Sequence, residues 1–180
     1  MNHYDEVEQQ LIEVCRAFRI PGKLTAWRQL KSGNINITYQ VTCSDGILTK
    51  DYLAQRVNVY VYKDPECVMR NIDMICSHVM SRSTQSNERR SRLHFHHTAE
   101  GKNFYVERDG DNTIFWRLSN FIEDSVSFDE NADSKVLRMA GKAFGRFERQ
   151  LSDFDANELA ETIPHFHDTR WRLEQFFRHV

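Results

Sequence analysis

The sequence has no long run of basic residues, and its formal net charge is −2. Duplex nucleic acid is therefore not favoured as a partner, because neutralising its phosphates requires clustered Lys and Arg. The sequence also has no apolar stretch long enough for a signal peptide or a membrane-spanning helix, and its N-terminus, MNHYDEVEQQ, is polar and acidic. These absences predict a protein with neither a nucleic-acid partner nor a membrane partner.

Cysteine pairs of the form CxxC are missing as well. The four cysteines, Cys15, Cys43, Cys67 and Cys76, lie inside apolar patterns, which is typical of buried, reduced thiols in a cytoplasmic protein. No internal repeat and no low-complexity tract is found. Hydrophobic residues make up 40% of the chain and aromatic residues 12%, so the sequence can form a packed core.

The first part of the chain reads as one helix followed by three strands. Val7, Leu11, Cys15 and Phe18 recur at helical spacing and predict an amphipathic helix over Asp5–Phe18. Turn residues then separate short apolar runs in the manner of hairpins. The strands are predicted over Leu24–Lys31, Ile35–Cys43 and Tyr52–Val59.

Pro65 opens a second predicted helix, because proline suits the first helical turn. Its buried stripe is expected to be Val68, Ile72, Ile75 and Val79. A loop over Ser81–Ser91 follows, and three more strands are predicted over Arg92–Thr98, Asn103–Arg108 and Thr113–Asn120. The order helix, three strands, helix and strands predicts an α+β fold with an antiparallel sheet.

Composition changes at Glu123 and divides the chain into predicted units. An acidic linker is expected over 123–131, then a long helix over Ala132–Leu151 and a last helix that starts near Arg170. One long and one short helix make a poor core, so we expect a complete lobe over 1–122 and the start of an unfinished lobe over 132–180. Five apolar residues share one side of the long helix: Val136, Ala140, Phe144, Phe147 and Leu151.

Three short segments carry candidate binding residues. Gly33, in the turn Ser32–Asn34, permits close approach of backbone N–H groups to phosphates, although an ordinary hairpin gives the same pattern. Arg56 puts a cation on the third strand, where kinases carry the basic residue that pairs with the α- and β-phosphates; a surface arginine is the alternative. His94 and His96 would share one face of a strand and so suit a metal, but surface histidines on strands are commoner.

Several segments occur together in one order: SGNINITYQV, YLAQRVN, DPECVMRNIDMI and WRLSNFIEDSVSFD. With them the chain resembles the aminoglycoside phosphotransferase and choline kinase superfamily, and within it most closely the N-acetylhexosamine 1-kinases. The tail adds to this likeness, since that subfamily carries a similar IPxFHDT segment followed by an RxxxF helix. The resemblance covers nearly the whole sequence.

The resemblance implies a protein-kinase-like N-lobe that binds ATP, followed by the first helices of a helical C-lobe. Arg56 would replace the usual strand lysine, and Leu53 or Phe121 would pack on the adenine ring. Asn120–Glu123 would be the hinge between the lobes. Eight residues of the turn, the third strand and this hinge would contact the nucleotide: Gly33, Asn34, Ile35, Asn36, Arg56, Asn120, Phe121 and Ile122.

The implied reaction is transfer of the ATP γ-phosphoryl group to a sugar hydroxyl, the anomeric hydroxyl of an N-acetylhexosamine, with Mg²⁺ bridging the phosphates. His165, His167 and Asp168 of the IPHFHDT segment would lie on the sugar side. A choline, ethanolamine or aminoglycoside kinase is the alternative within enzymes. A binding module for nucleotide or a partner, without turnover, is the alternative outside them.

Two departures from the family pattern bear on this reading. The acidic residue that usually faces the strand cation is replaced by Arg70, with Glu66 and Asp73 as the nearest carboxylates along the chain. The catalytic loop HxDxxxxN and the metal-binding segment IDxD are absent. We therefore expect the catalytic residues and metal ligands to lie outside these residues, the chain to be inactive alone, and a homodimer to form through its exposed C-lobe helices.

Overall fold

The computed structural model describes residues 3–31, 33–82, 93–110, 112–126, 128 and 133–179. Nine helices and strands and one short 3-10 turn, Ala156–Glu158, are found in these ranges. In chain order the nine are α1 (His3–Ala17), β1 (Lys23–Leu30), β2 (Ile37–Ser44), β3 (Thr49–Val57), α2 (Pro65–Ser81), β4 (Tyr105–Asp109), β5 (Asn112–Asn120), α3 (Ser134–Gln150) and α4 (Thr169–His179).

The five strands form one sheet in the order β1-β2-β3-β5-β4, and every neighbouring pair is antiparallel. This confirms the predicted α+β fold with an antiparallel sheet. The β5 strand lies between β3 and β4, so residues far apart in sequence become neighbours in space. That insertion brings Gln55 and Arg117, which are 62 residues apart, side by side.

Helix α1 covers one face of the sheet and forms the main core with it. The predicted stripe of Val7, Leu11, Cys15 and Phe18 is buried, as the periodicity indicated, and Val14 joins it. From the sheet, every second residue of the central strands faces this helix. These residues are Tyr39, Val41, Cys43, Tyr52, Ala54, Ile114, Trp116 and Leu118.

Helix α2 starts as predicted, with Pro65 in the first turn and Asp64 as the N-cap that accepts a hydrogen bond from the Cys67 N–H at 2.9 Å. Its fully buried residue is Met69, which packs with Phe95 and Phe104 on the second face of the sheet. The predicted buried stripe was wrong in part. Its four members, Val68, Ile72, Ile75 and Val79, are only half-buried.

The reason is that α2 is covered from two directions. One side meets the sheet through Met69. Another side meets the segment after α3, where the Asn71 side chain donates to the Ala160 carbonyl at 2.7 Å and accepts from its N–H at 3.2 Å. His78 lies 3.1 Å from the carbonyl oxygen of Gln150. A helix with two partly covered sides has no single buried stripe.

The strand predicted over Arg92–Thr98 is wrong for the residues that the structure describes. A single antiparallel bridge joins Phe95 to Ser119. The chain then leaves the sheet, because a turn forms in which the Thr98 N–H donates to the Lys102 carbonyl at 2.7 Å. The loop predicted over Ser81–Ser91 begins within α2 at Ser81, and residues 83–91 lie outside the described part.

Helices α3 and α4 confirm the two helices predicted after the linker, but neither contains a buried residue. The stripe expected to be buried along α3 was therefore wrong: Phe144 is 70% exposed and Phe147 45%. Of the predicted linker, residues 123–126 and 128 are described and contain no helix or strand. No helix in the described part of the chain is both long and apolar enough to cross a membrane.

The four cysteines are free, and Cys15, Cys43 and Cys67 are buried as predicted, whereas Cys76 is only half-buried. The sulfur atoms of Cys15 on α1 and Cys43 on β2 lie 3.7 Å apart inside the main core. The contact with the Cys43 thiol, together with burial, raises the pKa of Cys15, so this thiol is protonated at neutral pH.

Candidate functional site

The second face of the sheet is polar along β2 and β3, as one face of an antiparallel sheet often is. Side chains of a strand alternate between faces. On β3, Tyr52 and Ala54 face α1, so Leu53 and Gln55 lie on the opposite face, the side on which α2 packs. We call this surface the polar face. It comprises Arg28, Thr38, Gln40, Thr42, Asp51, Leu53, Gln55, Arg117 and Ser119.

One row of hydrogen bonds crosses three strands of the polar face. Thr38, Gln55 and Arg117 are direct register partners on β2, β3 and β5. The Gln55 amide donates to the Thr38 hydroxyl at 3.0 Å and accepts from the Arg117 Nε–H at 2.9 Å. The Gln55 side chain is thereby fixed at both ends, and it orients the guanidinium of Arg117.

A second row lies nearer the other end of β3. Arg28 donates to Gln40 at 2.8 Å, and Gln40 donates to Asp51 at 2.6 Å. The other Asp51 carboxylate oxygen accepts from the Thr42 hydroxyl at 2.7 Å. The carboxylate of Asp51 is thus held by two side-chain donors.

Between the two rows lies Leu53, paired in register with Gln40 on one side and Ser119 on the other. Its side chain is half-buried and is the apolar member of an otherwise polar surface. The predicted hinge begins at the same end of the sheet, where the Phe121 N–H donates to the Asp51 carbonyl at 3.3 Å. Asn120 closes β5, and its side-chain oxygen accepts from the His94 N–H at 2.7 Å.

The turn between β1 and β2 lies at the opposite end of the polar face. Gly33 has φ +104° and open space where a side chain would stand, a conformation that favours glycine. Asn58, just after β3, holds the turn in place. Its N–H donates to the Asn36 side chain at 3.0 Å, and its amide donates to the Ile35 carbonyl at 3.1 Å. Asn34 is exposed beside them.

The structure therefore arranges most of the predicted nucleotide residues along one line. Phe121 and Ile122 lie at the hinge end, Leu53 in the middle, and the turn at the far end. From Asp51 to Gln55 the β3 strand spans about 13 Å. Along this line the chemistry is apolar at Leu53 and polar on either side of it, and it ends at the turn that Asn58 holds.

Arg56 lies on the other face of the sheet. It shares the side of Tyr52 and Ala54 and is close to Tyr39, whose pKa is raised by burial while the positive charge of Arg56 opposes the shift. Among the described residues no carboxylate forms an ion pair with Arg56. Side chains alternate between the two faces along a strand, so Leu53 and Arg56, which are three residues apart, point to opposite sides of the sheet.

On α2, Arg70 stands where the acidic partner of the strand cation is expected, and the two nearest carboxylates along the chain have other surroundings. Arg70 is exposed and lies 3.5 Å from the Cys67 sulfur. Asp73 is 3.1 Å from the His97 ring, and Glu66 is exposed in the first turn of the helix. In the described part of the chain, neither carboxylate reaches Arg56.

The IPHFHDT segment forms the N-terminal cap of α4. Asp168 accepts from the Trp171 N–H at 2.9 Å, and this bond, with help from His165 at 3.3 Å, lowers the pKa of the Asp168 carboxyl. His165 stacks on Trp171 with 4.9 Å between ring centres and has φ +58°. His167 lies edge-on to the Phe166 ring, with 4.8 Å between ring centres, and no hydrogen bond joins its side chain to another described residue.

His94 and His96 come together, with ring centres 5.0 Å apart. Burial, together with the neighbouring charges, lowers the pKa of His96 to about 4. The third member of a metal site is missing, since no group of three or more His, Cys, Asp or Glu in the described residues is placed to hold a metal ion.

Sequence reasoning missed Thr38, Gln55 and Arg117. Alternation along β3 was the available signal, because it places Gln55 with Leu53 and separates both from Arg56. No signal within a single segment pointed to Arg117, since its neighbour Gln55 becomes adjacent only through the strand order.

The fold has a counterpart among solved structures, although no family model matches the sequence. The chain is similar to spectinomycin phosphotransferase, solved in complex with ADP and spectinomycin, with a TM-score of 0.53 and 17% identity over 94% of this chain. The match covers 46% of that protein, so the chain spans less than half of its length. The fold is therefore that of a kinase-like N-lobe with an antiparallel sheet.

Proposed function

We propose that this chain is the nucleotide-binding part of an ATP-dependent small-molecule kinase. The observation that carries the proposal is the polar face, with Leu53 between two hydrogen-bonded rows, running from the hinge to the Gly33 turn on a kinase-like sheet. The similar structure was solved with ADP, which supports a nucleotide as the ligand.

Each part of the surface has a role in this proposal. At the hinge, the N–H groups of Asn120 and Phe121 already donate to the carbonyls of His94 and Asp51, so the Ile122 N–H and the carbonyls of Asn120, Phe121 and Ile122 bind the adenine edge, and Leu53 packs on the ring. Backbone N–H groups of the turn Gly33, Asn34, Ile35 and Asn36 cover the phosphates, because unpaired N–H groups in a turn form an anion-binding concavity. The sequence resemblance assigns the phosphates to Arg56 at the turn end of β3, but its side chain lies on the α1 side of the sheet, away from the polar face.

The chemistry is transfer of the γ-phosphoryl group to a hydroxyl. A bond forms between the acceptor oxygen and the γ-phosphorus, the bond to the β–γ bridging oxygen breaks, and ADP leaves with the electron pair. The hydroxyl proton passes to a carboxylate. We place that carboxylate outside these residues, because the sequence has no HxDxxxxN loop. No cluster of three or more His, Cys, Asp or Glu in the described residues is placed to hold a metal ion, and we place the Mg²⁺ ligands outside these residues as well.

The acceptor we propose is the anomeric hydroxyl of an N-acetylhexosamine, on the sequence resemblance. Of the three substrate-binding candidates, His167 is exposed and free to bind a sugar hydroxyl, whereas Asp168 and His165 also support the cap of α4. An aminoglycoside is the second candidate acceptor, and the spectinomycin bound in the similar structure favours it.

Calorimetric titration with ADP, ATP and adenosine tests the proposal directly. We expect saturable binding of all three with one site per chain, and ADP and ATP to bind more tightly than adenosine. Absence of binding at millimolar ligand would contradict the proposal. ATP turnover by this chain with N-acetylglucosamine, N-acetylgalactosamine or spectinomycin would contradict our placement of the catalytic carboxylate.

The division of the chain belongs to the same proposal: a nucleotide-binding lobe over 1–122, a linker over 123–131 and C-lobe helices over 132–180. These helices expose apolar side chains, and we propose that two copies of the chain associate through them.

A further inference from the structure

Arg117 is the cation on the polar face next to the proposed phosphate position. It is in register with Gln55, which is in register with Thr38, and Thr38 is the second residue of β2, next to the end that follows the Gly33 turn. Its Nε–H donates to Gln55 at 2.9 Å, and its guanidinium lies 5.3 Å from the centre of the Phe95 ring. The side chain is therefore fixed by a hydrogen bond on one side and an aromatic ring on the other.

The charge of Arg117 has no counter-ion within the described residues. None of their carboxylates lies within ion-pairing distance, and the two terminal guanidinium nitrogens form no hydrogen bond to any of them. The side chain is half-buried, and burial lowers the pKa of Arg117 while leaving it charged at neutral pH. A partly buried cation without an anionic partner is costly to the folded state. An anion bound here would offset that cost and would accept hydrogen bonds from the two terminal guanidinium nitrogens.

Planar guanidinium groups bind phosphate oxygens through two parallel hydrogen bonds. Here the Nε–H is occupied by Gln55, and the two terminal nitrogens remain to face a ligand. The Gln55 side chain fixes the plane in which they lie. Arg56, by contrast, points to the α1 face and so lies away from Gln55 and from the polar face.

We propose that Arg117, oriented by Gln55, is the arginine that binds the phosphate groups of the nucleotide, and that it does so in place of a cation on β3. This inference rests on the proposed function, because it assigns a further binding residue to the same site. The ligand group it recognises is the di- or triphosphate, so Arg117 contributes nothing to binding of the nucleoside alone.

Two substitutions remove the unpaired positive charge in different ways. Arg117→Gln removes the charge. Gln55→Glu keeps Arg117 but places a carboxylate 2.9 Å from its Nε, which pairs with the guanidinium and neutralises the site without leaving a buried group unsatisfied. Arg108→Gln, an exposed arginine on β4, is the matched control.

Calorimetric titration of the 180-residue chain with ADP and with adenosine gives the readout. We expect R117Q and Q55E each to bind ADP about ten- to hundred-fold more weakly than the wild type. We expect adenosine affinity to stay within about twofold and R108Q to match the wild type. Circular dichroism and thermal melting establish that each variant is folded, and if R117Q does not fold, Q55E decides.

The outcomes separate the two proposals. A wild-type chain that binds neither ligand overturns the proposed function and this inference with it. A wild-type chain that binds ADP, with R117Q and Q55E unaffected, overturns the inference alone. Equal losses for ADP and adenosine would show that Arg117 only supports the fold. Loss of ADP binding in R56A, with R117Q and Q55E unaffected, would place the phosphate-binding cation on β3.

Discussion

At the scale of single residues, Leu53 gives a distinct test of where the adenine ring lies. It is half-buried, with polar neighbours on both sides, so a flat apolar ring is the partner that would complete its burial. We expect Leu53→Ala to weaken adenosine and ADP binding by the same factor, about three- to ten-fold, because the lost contact is apolar and independent of the phosphates.

The matched control is Leu48→Ala, which removes the same side chain from an exposed site, 66% accessible, in the turn before β3. Parallel titrations of both variants with both ligands provide the measurement. If L53A binds adenosine as the wild type does, the adenine ring does not lie on Leu53.

His96 predicts how stability depends on pH. Burial, with the charges of His94, Lys50 and His97, lowers its pKa from the ordinary 6.5 to about 4. The folded state then binds fewer protons than the unfolded state between these values. The contribution of His96 is therefore complete above pH 6.5 and falls progressively towards pH 4. A shift of this size corresponds to at most about 3 kcal/mol, less whatever solvent screening removes.

We expect His96→Gln to flatten this dependence, because glutamine does not titrate. Urea unfolding midpoints of wild type and H96Q, measured from pH 7.5 to 4.5, give the comparison. Wild-type stability should fall more steeply than that of H96Q below pH 6.5. Parallel curves would show that His96 is not desolvated in solution.

At the scale of elements, the apolar stripes of α1 and α3 look alike in sequence but have opposite surroundings. Leu11 on α1 is fully buried, whereas Phe144 on α3 is 70% exposed. We expect Leu11→Ala to lower the free energy of unfolding by about 2–5 kcal/mol. Phe144→Ala should change it by less than about 0.5 kcal/mol. Chemical denaturation below micromolar concentration, where association is minimal, measures both, and an equal cost would show that α3 is covered in solution.

The periodicity of apolar residues predicted most helices and strands, but not which of their side chains other elements cover. The α1 stripe and the start of α2 at Pro65 followed from spacing and from proline geometry, since both are local properties. The stripe of α2 did not, because its cover comes from two directions, through Met69 and through Asn71. Nor did the end of pairing at Phe95, since the turn after Thr98 removes the chain from the sheet.

At the scale of the whole molecule, the candidate site depends on strand order. Leu53, the hinge and the Gly33 turn were predicted from the family resemblance, because each lies within one continuous segment that carries it. Gln55 and Arg117 were not, since they meet only where β5 enters the sheet next to β3. A single sequence contains the alternation that defines two faces of β3, but it does not indicate which face α1 covers.

The exposed helices lead to a prediction about assembly. Large apolar side chains are uncovered along α3 and α4, among them Phe144, Trp171, Phe176 and Phe177, the last at 68% exposure. Uncovered apolar patches usually find a partner, and each large side chain that becomes buried contributes about 1.5–3 kcal/mol, so a few offset the entropy cost of association. We therefore expect the chain to self-associate at micromolar concentration.

Sedimentation velocity measures the assembly. A concentration series from about 1 to about 50 µM covers the range in which a dimer of micromolar affinity forms. The double variant Phe144→Glu with Phe177→Glu should be monomeric, because burying two carboxylates in an apolar contact is unfavourable. Ile47→Glu is the control, since Ile47 is 95% exposed in the turn between β2 and β3 and lies outside these helices, so it should associate like the wild type. A wild-type chain that stays monomeric, with α3 and α4 amides well protected from exchange, would mean that both helices are already covered within one copy.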